Sequence, residues 1–150
     1  MRSLEDIGND LVDLLINNMP GLRAAPEVLA LTNYGDLVTY VATLSRVPAA
    51  AVVFGPIDFD GGPFETQEIG MRPGILLIDA FKATKRRELN SALQLVGDCL
   101  ALFRPDKNDS TVPLVINGLA YHITGIQPKA VKKGASAWLV QLETTQEFSQ

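Results

Sequence analysis

The stretch RRELNSALQLVGDCLALF, residues 86–103, decides the fold. Apolar side chains recur in it every three to four residues, a spacing that predicts a helix with one apolar face. That face is formed by Leu89, Leu93, Val96, Leu100 and Phe103, with Ala92 and Cys99 beside them. An apolar helix face must be covered by another element, and β-like runs lie on both sides of this stretch, at Ile75 to Phe81 before it and within Thr111 to Thr145 after it.

The composition is that of one globular domain. The chain has 150 residues, close to the usual length of a single domain, and its 47% hydrophobic and 20% charged residues exclude global disorder. The net charge of -4 argues against the electropositive surface of a nucleic-acid-binding protein. Cys99 is the only cysteine, so an intramolecular disulfide and a cysteine-rich metal site are excluded, and its place on the apolar helix face predicts a buried thiol. We expect a single domain over residues 1–150.

The first part of the chain combines predicted helices with a buried strand. Helical spacing runs from Leu4 to Met19, with Ser3 as the N-cap. A second helix is predicted from Asp36 to about Ser45, and Glu27 to Leu31 fits either a turn of helix or an edge strand. Ala49 to Phe54 is continuously apolar, which is typical of a strand buried on both faces.

The remaining segments predict loops and antiparallel strands. Residues 57–74 are rich in glycine, proline and acidic residues, which favours a long loop or a mobile hairpin. Asn117-Gly118 suits the type I′ turn of a β-hairpin, and Ala135 to Thr145 alternates like a further strand. Gln146 to Gln150 is expected to be a flexible tail or to be donated to a neighbouring copy. These elements predict an α+β fold, a sandwich-like arrangement in which a mixed, mainly antiparallel sheet packs against two to three helices, with a C-terminal β-hairpin plus strand.

The sequence lacks the common motifs of catalysis and cofactor binding. It has no phosphate-binding loop, dinucleotide-binding fingerprint or nucleophile elbow, so we expect neither an enzyme nor a cofactor. The carboxylates between Asp58 and Glu68 lack EF-hand spacing, and His122, the only histidine, cannot form a two-histidine zinc site within one chain. One alternative stays open, in which this acidic segment and His122 belong to a small metal- or ligand-binding domain or an enzyme.

Two basic clusters and the absence of an apolar span complete the chemical description. The clusters, at Lys85-Arg86-Arg87 and at Lys129, Lys132 and Lys133, are interpreted as solvated turns in preference to phosphate-binding sites.

No apolar run approaches the roughly 20 residues needed to cross a bilayer, and acidic residues stand near the N-terminus where a secretory signal would be basic. We therefore expect no membrane partner and a protein that stays in the compartment where it is made.

Several short stretches carry a family resemblance through their order along the chain. They are Ile7-Gly8-Asn9-Asp10-Leu11-Val12 with Pro20-Gly21-Leu22, Tyr34-Gly35-Asp36-Leu37, Val47-Pro48-Ala49-Ala50-Ala51-Val52-Val53-Phe54-Gly55, Leu95-Val96-Gly97-Asp98-Cys99-Leu100, and Ile123-Thr124-Gly125-Ile126-Gln127-Pro128 with the strand that follows it. In this order they resemble the Mu-like family of phage tail proteins thought to act as tail terminators, and the likeness covers most of the chain.

The resemblance implies a tail-terminator-like domain and a structural virion protein. Such a protein is made in the host cytoplasm and lies in the neck region of a phage or prophage tail. It forms a ring, expected to be a homohexamer, that caps the head-proximal end of the tail tube, ends tube polymerisation and provides the interface to the head-tail connector. The implied partners are copies of the same chain, the tail tube protein, and also sheath and head-tail connector proteins. DNA would pass through the lumen without specific binding, and no catalytic residues come with the family.

A ring subunit must leave part of its surface for its neighbours. Residues 57–74 and the end of the chain from Gln141 onward have the least reason to be ordered alone, so we expect the contacts there. The residues expected at a subunit or tube interface are Asp58, Phe59, Phe64, Glu65, Glu68, Met71, Arg72, Glu143, Glu147 and Phe148. An acidic subunit also favours a lumen that repels DNA phosphates. A neck or head-tail connector protein is the alternative within the same class.

Overall fold

The structure is a computed structural model that describes residues 2–23, 25–29, 47–55, 58–60, 66–80, 85–129 and 135–149. Within these residues the chain forms two helices and a mixed, mainly antiparallel sheet, so the predicted α+β fold is confirmed. The elements in chain order are α1 (Leu4–Asn18), β1 (Glu27–Leu29), β2 (Ala49–Phe54), β3 (Asp58–Asp60), β4 (Thr66–Met71), β5 (Pro73–Ala80), α2 (Lys85–Leu102), β6 (Leu114–Ile116), β7 (Leu119–Lys129) and β8 (Ala135–Ser149). The helix predicted from Asp36 to Ser45 lies outside the described residues.

The sheet is organised around its last strand, β8. The strand order is β1-β2-β5-β8-β4-β3, and β7 pairs with both β6 and β8. Among the described strands, β1 and β2 form the one parallel pair, and the other pairs are antiparallel. Of the two alternatives for the segment after α1, the edge strand is therefore correct. The strand β8 has neighbours on both sides over much of its length because β5, β4 and β7 all pair with it.

One long antiparallel ladder runs through the sheet. The strands β4 and β5 are separated only by Arg72, and both pair with β8 in a single register that extends from Thr66 opposite Ser149 to Ala80 opposite Ala135. We call this pairing the ladder. Its β8 side has 15 residues, so at the usual rise per residue of a strand the ladder is about 50 Å long. The two ends of the ladder are therefore far apart.

The structure decides two expectations at the Ser149 end of the ladder. Of the long loop and the hairpin expected over residues 57–74, the hairpin is present, because β3 pairs antiparallel with β4. The flexible tail is wrong, because β8 continues to Ser149 and pairs there with β4. In β8, pairing with a strand distant in sequence outweighs a weak local β-propensity.

One glycine in the supposed loop has a packing role instead. A Cβ atom added at Gly74 would lie 2.8 Å from Cδ1 of Leu139 and 3.2 Å from Cγ2 of Val53. Glycine is therefore needed there because neighbouring side chains approach the strand backbone closely. A glycine that permits close packing cannot be told from a loop glycine by composition.

The first helix packs against the sheet as predicted. Its N-terminus is closed by a reciprocal capping box, in which the Asp6 amide donates to Ser3 Oγ at 3.0 Å and the Ser3 amide donates to Asp6 Oδ2 at 3.1 Å. Apolar side chains one turn apart, Ile7, Leu11 and Leu15, are completely buried. The predicted cap and buried face of α1 are thus confirmed.

The second helix is confirmed, and its predicted apolar face is confirmed for Val96, Cys99 and Phe103 but wrong at Leu93. The side chains of Leu89 and Ala92 lie outside the described part of the chain. The side chains of Leu95, Val96, Cys99 and Phe103 are buried, whereas Leu93 is 42% exposed. Residues two positions apart point in nearly opposite directions around a helix, about 200° apart. Leu93 and Leu95 therefore cannot both face the sheet, and the structure buries the leucine that aligns with Cys99.

The core lies between the two helices and one face of the sheet. The sheet side of this layer is lined by alternate residues of the central strands, Ala50, Val52, Ile75, Leu77, Val140 and Leu142. Residues of the opposite face, including Ala51, Leu76 and Ile78, are buried as well. The prediction that the strand at Ala49 to Phe54 is buried on both faces is confirmed for its first four residues.

The hairpin predicted from Asn117-Gly118 is present. Asn117 has φ 50° and Gly118 has φ 85°, the two positive values that the turn type requires. The turn joins β6 to β7, and Leu119 and Tyr121 of β7 are buried in the core. Asparagine and glycine are the residues that adopt positive φ at least cost, so this local structure follows directly from the sequence.

Candidate functional site

Three strands form an arm at one end of the ladder. We define the arm as Asp58–Asp60, Thr66–Met71 and the last part of β8, residues 144–149. Of the residues predicted at an interface, Asp58, Phe59, Glu68, Met71, Glu147 and Phe148 lie in the arm, and Arg72 and Glu143 lie at its base. Phe64 and Glu65 lie outside the described residues. The structure thus brings together segments that are more than 70 residues apart in the sequence.

Met71 is corrected from a surface residue to a core residue. Its side chain is 1% exposed and packs with that of Ile69, which is 8% exposed. Residues two apart on a strand share a face, and in β4 this face is turned toward the helices. The exposed face of β4 carries Glu68 instead. An interface formed by the arm would therefore use its acidic face and its edge, and not Met71.

Acidic residues line up across the three strands of the arm. Asp60 lies opposite Glu68, and Glu68 lies opposite Glu147. The side chains of Glu68 and Glu147 are exposed. Like charges at directly opposing positions of antiparallel strands repel each other and destabilise the pairing. Asp58 adds a further carboxylate, and the residues of the arm include no lysine or arginine.

Basic residues follow the opposite end of the ladder in the sequence. Lys129 ends β7 opposite Ala137, close to the Ala80–Ala135 pair at which the ladder stops. Its Nζ donates a hydrogen bond to Gln127 Oε1 at 3.1 Å. Lys85, Arg86 and Arg87 come five to seven positions after Ala80 in the sequence, and their side chains lie outside what the structure describes.

A polar network ties the base of the arm to the rest of the molecule. The Arg2 amide donates to Gln146 Oε1 at 3.0 Å, and Gln146 Nε2 donates to the Arg2 carbonyl oxygen at 2.7 Å. The Arg2 guanidinium forms an ion pair with Asp10 of α1, and Asn117 Nδ2 donates to Asp10 Oδ1 at 2.9 Å. The network joins the N-terminus, α1, the β6–β7 turn and the arm. Sequence reasoning missed it because Arg2 and Gln146 are 144 positions apart.

Two buried hydroxyl groups near this network have no hydrogen-bond partner among the described residues. They are the Tyr121 hydroxyl and Thr144 Oγ1. Burial raises the pKa of Tyr121 to about 12, with a further contribution from the negative charge of Asp10 and an opposing one from Arg2. A buried hydroxyl without a partner loses its hydrogen bonds to water and gains none in return. The base of the arm is therefore less favourably packed than the apolar core beside it.

The residues considered for chemistry are not assembled into a reactive site within the described part of the chain. His122 is exposed on β7, opposite Glu143. Cys99 is buried as predicted, and burial raises its pKa to about 12, so its thiol is protonated and unreactive at neutral pH. Among the described residues there is no group of three or more histidine, cysteine, aspartate or glutamate side chains that could hold a metal ion.

A cavity lies beside the base of the arm. It has a volume of about 160 Å³, and Val53, Arg72, Thr124 and Gln141 are among the residues that line it. The lining combines strand backbone, aliphatic side chains and neutral polar groups, with Arg72 as its one charged residue among those described. A second concave region, about 290 Å³, lies beyond the C-terminus of α1 and is lined mainly by apolar residues such as Ile16 and Met19. Neither cavity brings together paired carboxylates or an activated nucleophile among the described residues.

Comparison with known proteins adds no relative. The sequence matches no protein family model, and no curated protein matches it. None of the helices in the described residues is both long and apolar enough to cross a membrane. The features of the chain that bear on its function are therefore the acidic arm and the order of the sequence motifs.

Proposed function

We propose that this chain is a structural subunit of a phage or prophage tail. It forms a ring that caps the head-proximal end of the tail tube, ends tube polymerisation and provides the interface to the head-tail connector. The resemblance of its ordered motifs to tail terminators of the Mu-like family supports this function. The structural observation that carries it is the arm, an extension of the sheet whose acidic face is exposed at Glu68 and Glu147, because a ring subunit must leave part of its surface for its neighbours.

Open strand edges give the proposal a further basis. Among the described strands, β3 pairs only with β4, and β1 pairs only with β2. Within the described residues each therefore has an outer edge, and the backbone groups of such an edge can accept a strand from another molecule. Val28 on β1 is 39% exposed, so that edge also presents apolar surface. Subunit contacts made through the arm would use segments that sequence reasoning had already assigned to the interface.

The expected partners follow from the proposed position. Copies of the chain would form the ring, most simply a hexamer, and the tail tube protein would bind one face of it. Sheath and head-tail connector proteins would meet the other surfaces. The subunit carries a net charge of -4, which favours a lumen that repels DNA phosphates and lets the genome slide without specific binding.

Tube polymerisation provides the test. Tail tube protein from the same phage or prophage would be polymerised with and without the purified chain, and tube lengths and tube ends would be scored by negative-stain electron microscopy. We expect rings in the chain alone or at tube ends, one capped end per tube, and shorter tubes as the chain is added. A chain that neither binds tube ends nor changes tube length would contradict the proposal. Binding to the portal-side connector without binding to tubes would instead identify a neck protein.

A further inference from the structure

We infer that the arm unfolds locally as a separate unit, and that a contact between Arg2 and Gln146 controls how often it does so. We call Arg2, Asp10 and Gln146 the clasp. This behaviour belongs to the chain by itself and does not depend on the proposed function. Its basis is that the arm buries few side chains of its own, whereas the clasp joins it to a firmly packed helix.

The arm contributes little to the apolar core. Among its residues whose burial the structure describes, only Ile69, Met71 and Thr144 are buried. The hydroxyl oxygen of Thr144 has no hydrogen-bond partner among the described residues. In β5, by contrast, every residue from Pro73 to Asp79 is buried. A segment with few buried apolar contacts unfolds locally at a lower free energy than the core beside it.

The exposed face of the arm also weakens its pairing. Glu68 and Glu147 are exposed at directly opposing positions, and Asp60 lies opposite Glu68 on the other side. Like charges at such positions destabilise the pairing of antiparallel strands. Local unfolding of the arm would separate these carboxylates. Their repulsion therefore shifts the equilibrium toward the unfolded arm.

The clasp opposes this unfolding through the side chain of Gln146. Gln146 Oε1 accepts a hydrogen bond from the Arg2 amide at 3.0 Å, and Gln146 Nε2 donates one to the Arg2 carbonyl oxygen at 2.7 Å. The same Nε2 lies 3.8 Å from Met71 Sδ, so Gln146 contacts β4 as well as the N-terminal segment. These contacts exist only while the arm is folded, so they stabilise the folded arm.

The other half of the clasp fixes Arg2 to α1. The Arg2 guanidinium contacts both carboxylate oxygens of Asp10, with Nε at 3.1 Å and Nη2 at 2.6 Å from Oδ2. Charge-assisted hydrogen bonds of this kind are stronger than neutral ones. On the same helix, Ile7 and Leu11 are completely buried, so α1 stays in place when the arm unfolds. Arg2 therefore connects Gln146 to a fixed element of the fold.

Local unfolding of the arm would also affect the contacts between neighbours in a ring, a consequence that rests on the proposed function. A partner that binds only the folded arm has an apparent affinity that is reduced in proportion to the fraction of molecules with a folded arm. A neighbour bound to the arm would in turn suppress its unfolding. The clasp thus prepares the arm for binding.

Native-state hydrogen exchange of the chain alone tests the clasp. The first variant is Gln146→Ala, and its matched control is Gln141→Ala, the same substitution at a half-buried position of the same strand outside the arm. The second variant, Arg2→Ala, keeps the main-chain groups that bind Gln146 and removes the link to Asp10. Exchange would be followed by NMR at the amides of β4, of residues 144–149 and of β5.

We expect the arm amides of the wild type to exchange faster than those of β5. Gln146→Ala should accelerate exchange throughout the arm by about tenfold and leave β5 unchanged. Arg2→Ala should have a smaller effect on the same amides, and Gln141→Ala should leave the arm at the wild-type rate. The double variant Arg2→Ala/Gln146→Ala should exchange no faster than Gln146→Ala, because both substitutions act on one contact.

Several results would contradict the inference. Arm amides that exchange as slowly as those of β5 in the wild type, or rates that fall gradually inward from Ser149, would exclude a separate unit. An unchanged arm in Gln146→Ala, equal acceleration in the arm and β5, or effects that multiply in the double variant would overturn the role of the clasp. Because exchange is measured without tail tubes, the expected exchange rates in a chain that leaves tubes uncapped would contradict the proposed function alone.

Discussion

The two halves of the ladder share one register but differ in what they bury. In the half formed by β5 and the first part of β8, residues from Pro73 to Asp79 are buried on both faces of the sheet. In the half that belongs to the arm, Ile69 and Met71 are buried while Glu68, the residue before Ile69, is exposed. Identical backbone pairing thus supports a core at one end and a surface at the other. The comparison indicates that β5, buried on both faces, stabilises the fold. The strand β4 presents an exposed surface instead, and it is held in place by its one apolar face and by pairing with β8, where Gln146 belongs to the polar network.

The largest expected effect is a difference between two isoleucines, one in each half. Ile75 is completely buried in β5, and Ile69 is 8% exposed in β4. Replacing a buried isoleucine with alanine lowers the free energy of unfolding by about 2–5 kcal/mol, and the loss is largest where the surrounding side chains cannot relax into the space. We expect Ile75→Ala to lie in the upper half of this range and Ile69→Ala in the lower half, measured as the free energy of unfolding in urea. Equal losses would show that the arm is as tightly packed as the rest of the sheet.

Adding a methyl group at Gly74 tests the close packing at the start of β5. The new Cβ would lie 2.8 Å from a methyl carbon of Leu139, a side chain that borders the cavity beside the arm and can shift, so Gly74→Ala should destabilise the protein by about 1 kcal/mol. Gly125→Ala on β7 is the matched control, because its nearest neighbour would be Gln141 Oε1 at 3.4 Å. We expect the control to change the free energy of unfolding by less than about 0.5 kcal/mol. A smaller effect at Gly74 than at Gly125 would contradict the packing described here.

Replacing the unpaired hydroxyl at the base of the arm should stabilise the protein. Thr144 is 2% exposed, and its Oγ1 has no partner among the described residues. Thr144→Val keeps the shape of the side chain and removes the buried polar atom, so we expect a gain of about 1 kcal/mol in chemical denaturation. The exposed neighbour Thr145 provides the control, and Thr145→Val should have little effect. A loss of stability in Thr144→Val would reveal a hydrogen bond or bound water that this hydroxyl needs.

The last expected effect vanishes at neutral pH and is a change in how stability depends on alkaline pH. The pKa of Tyr121 is raised from 10.0 to about 12 in the folded protein. Between these values the unfolded chain loses the phenolic proton while the folded chain retains it, so stability falls as pH rises. Cys99 contributes in the same direction because its pKa is also raised, from 9.0 to about 12.

Comparing the wild type with Tyr121→Phe isolates the tyrosine. The variant should lose less stability than the wild type between about pH 10 and about pH 11.5, with the melting temperature as the measurement. Below about pH 9 the two proteins should show parallel pH profiles. Parallel profiles at high pH as well would mean that the Tyr121 hydroxyl reaches solvent in the folded state.

Local signals in the sequence predicted most of the elements of the fold. The capping box at Ser3, the turn at Asn117-Gly118 and the apolar run at Ala49 to Phe54 each depend on a few adjacent residues, and all three are present. On α2 the prediction is right at Val96 and Cys99 but wrong at Leu93, because leucines surround much of the helix and only contact with the sheet selects Leu95 over Leu93. The periodicity of apolar residues indicates that a helix has a buried face. When apolar residues lie on several sides of the helix, its contacts with the sheet determine which side is buried.

The candidate site was predictable in part. The acidic residues of segment 57–74 and of the chain end were singled out, but their alignment across three strands depends on a register between distant segments. The interpretation of the basic clusters as solvated turns stays a prediction, because residues 130–134 and the side chains of residues 85–87 lie outside what the structure describes. The polar network at Arg2 has no local signal at all, since its partners come from four separate parts of the chain.

The continuity of the ladder also has a mechanical consequence. The chain passes from β4 into β5 through Arg72 alone, and β8 runs unbroken along both. A force that pulls the arm away from the far end of the ladder is therefore carried by two covalent backbones that lie side by side. The successive breaking of single hydrogen bonds does not limit the strength in that direction. Tension is transmitted over the full length of the subunit without crossing a flexible joint between strands.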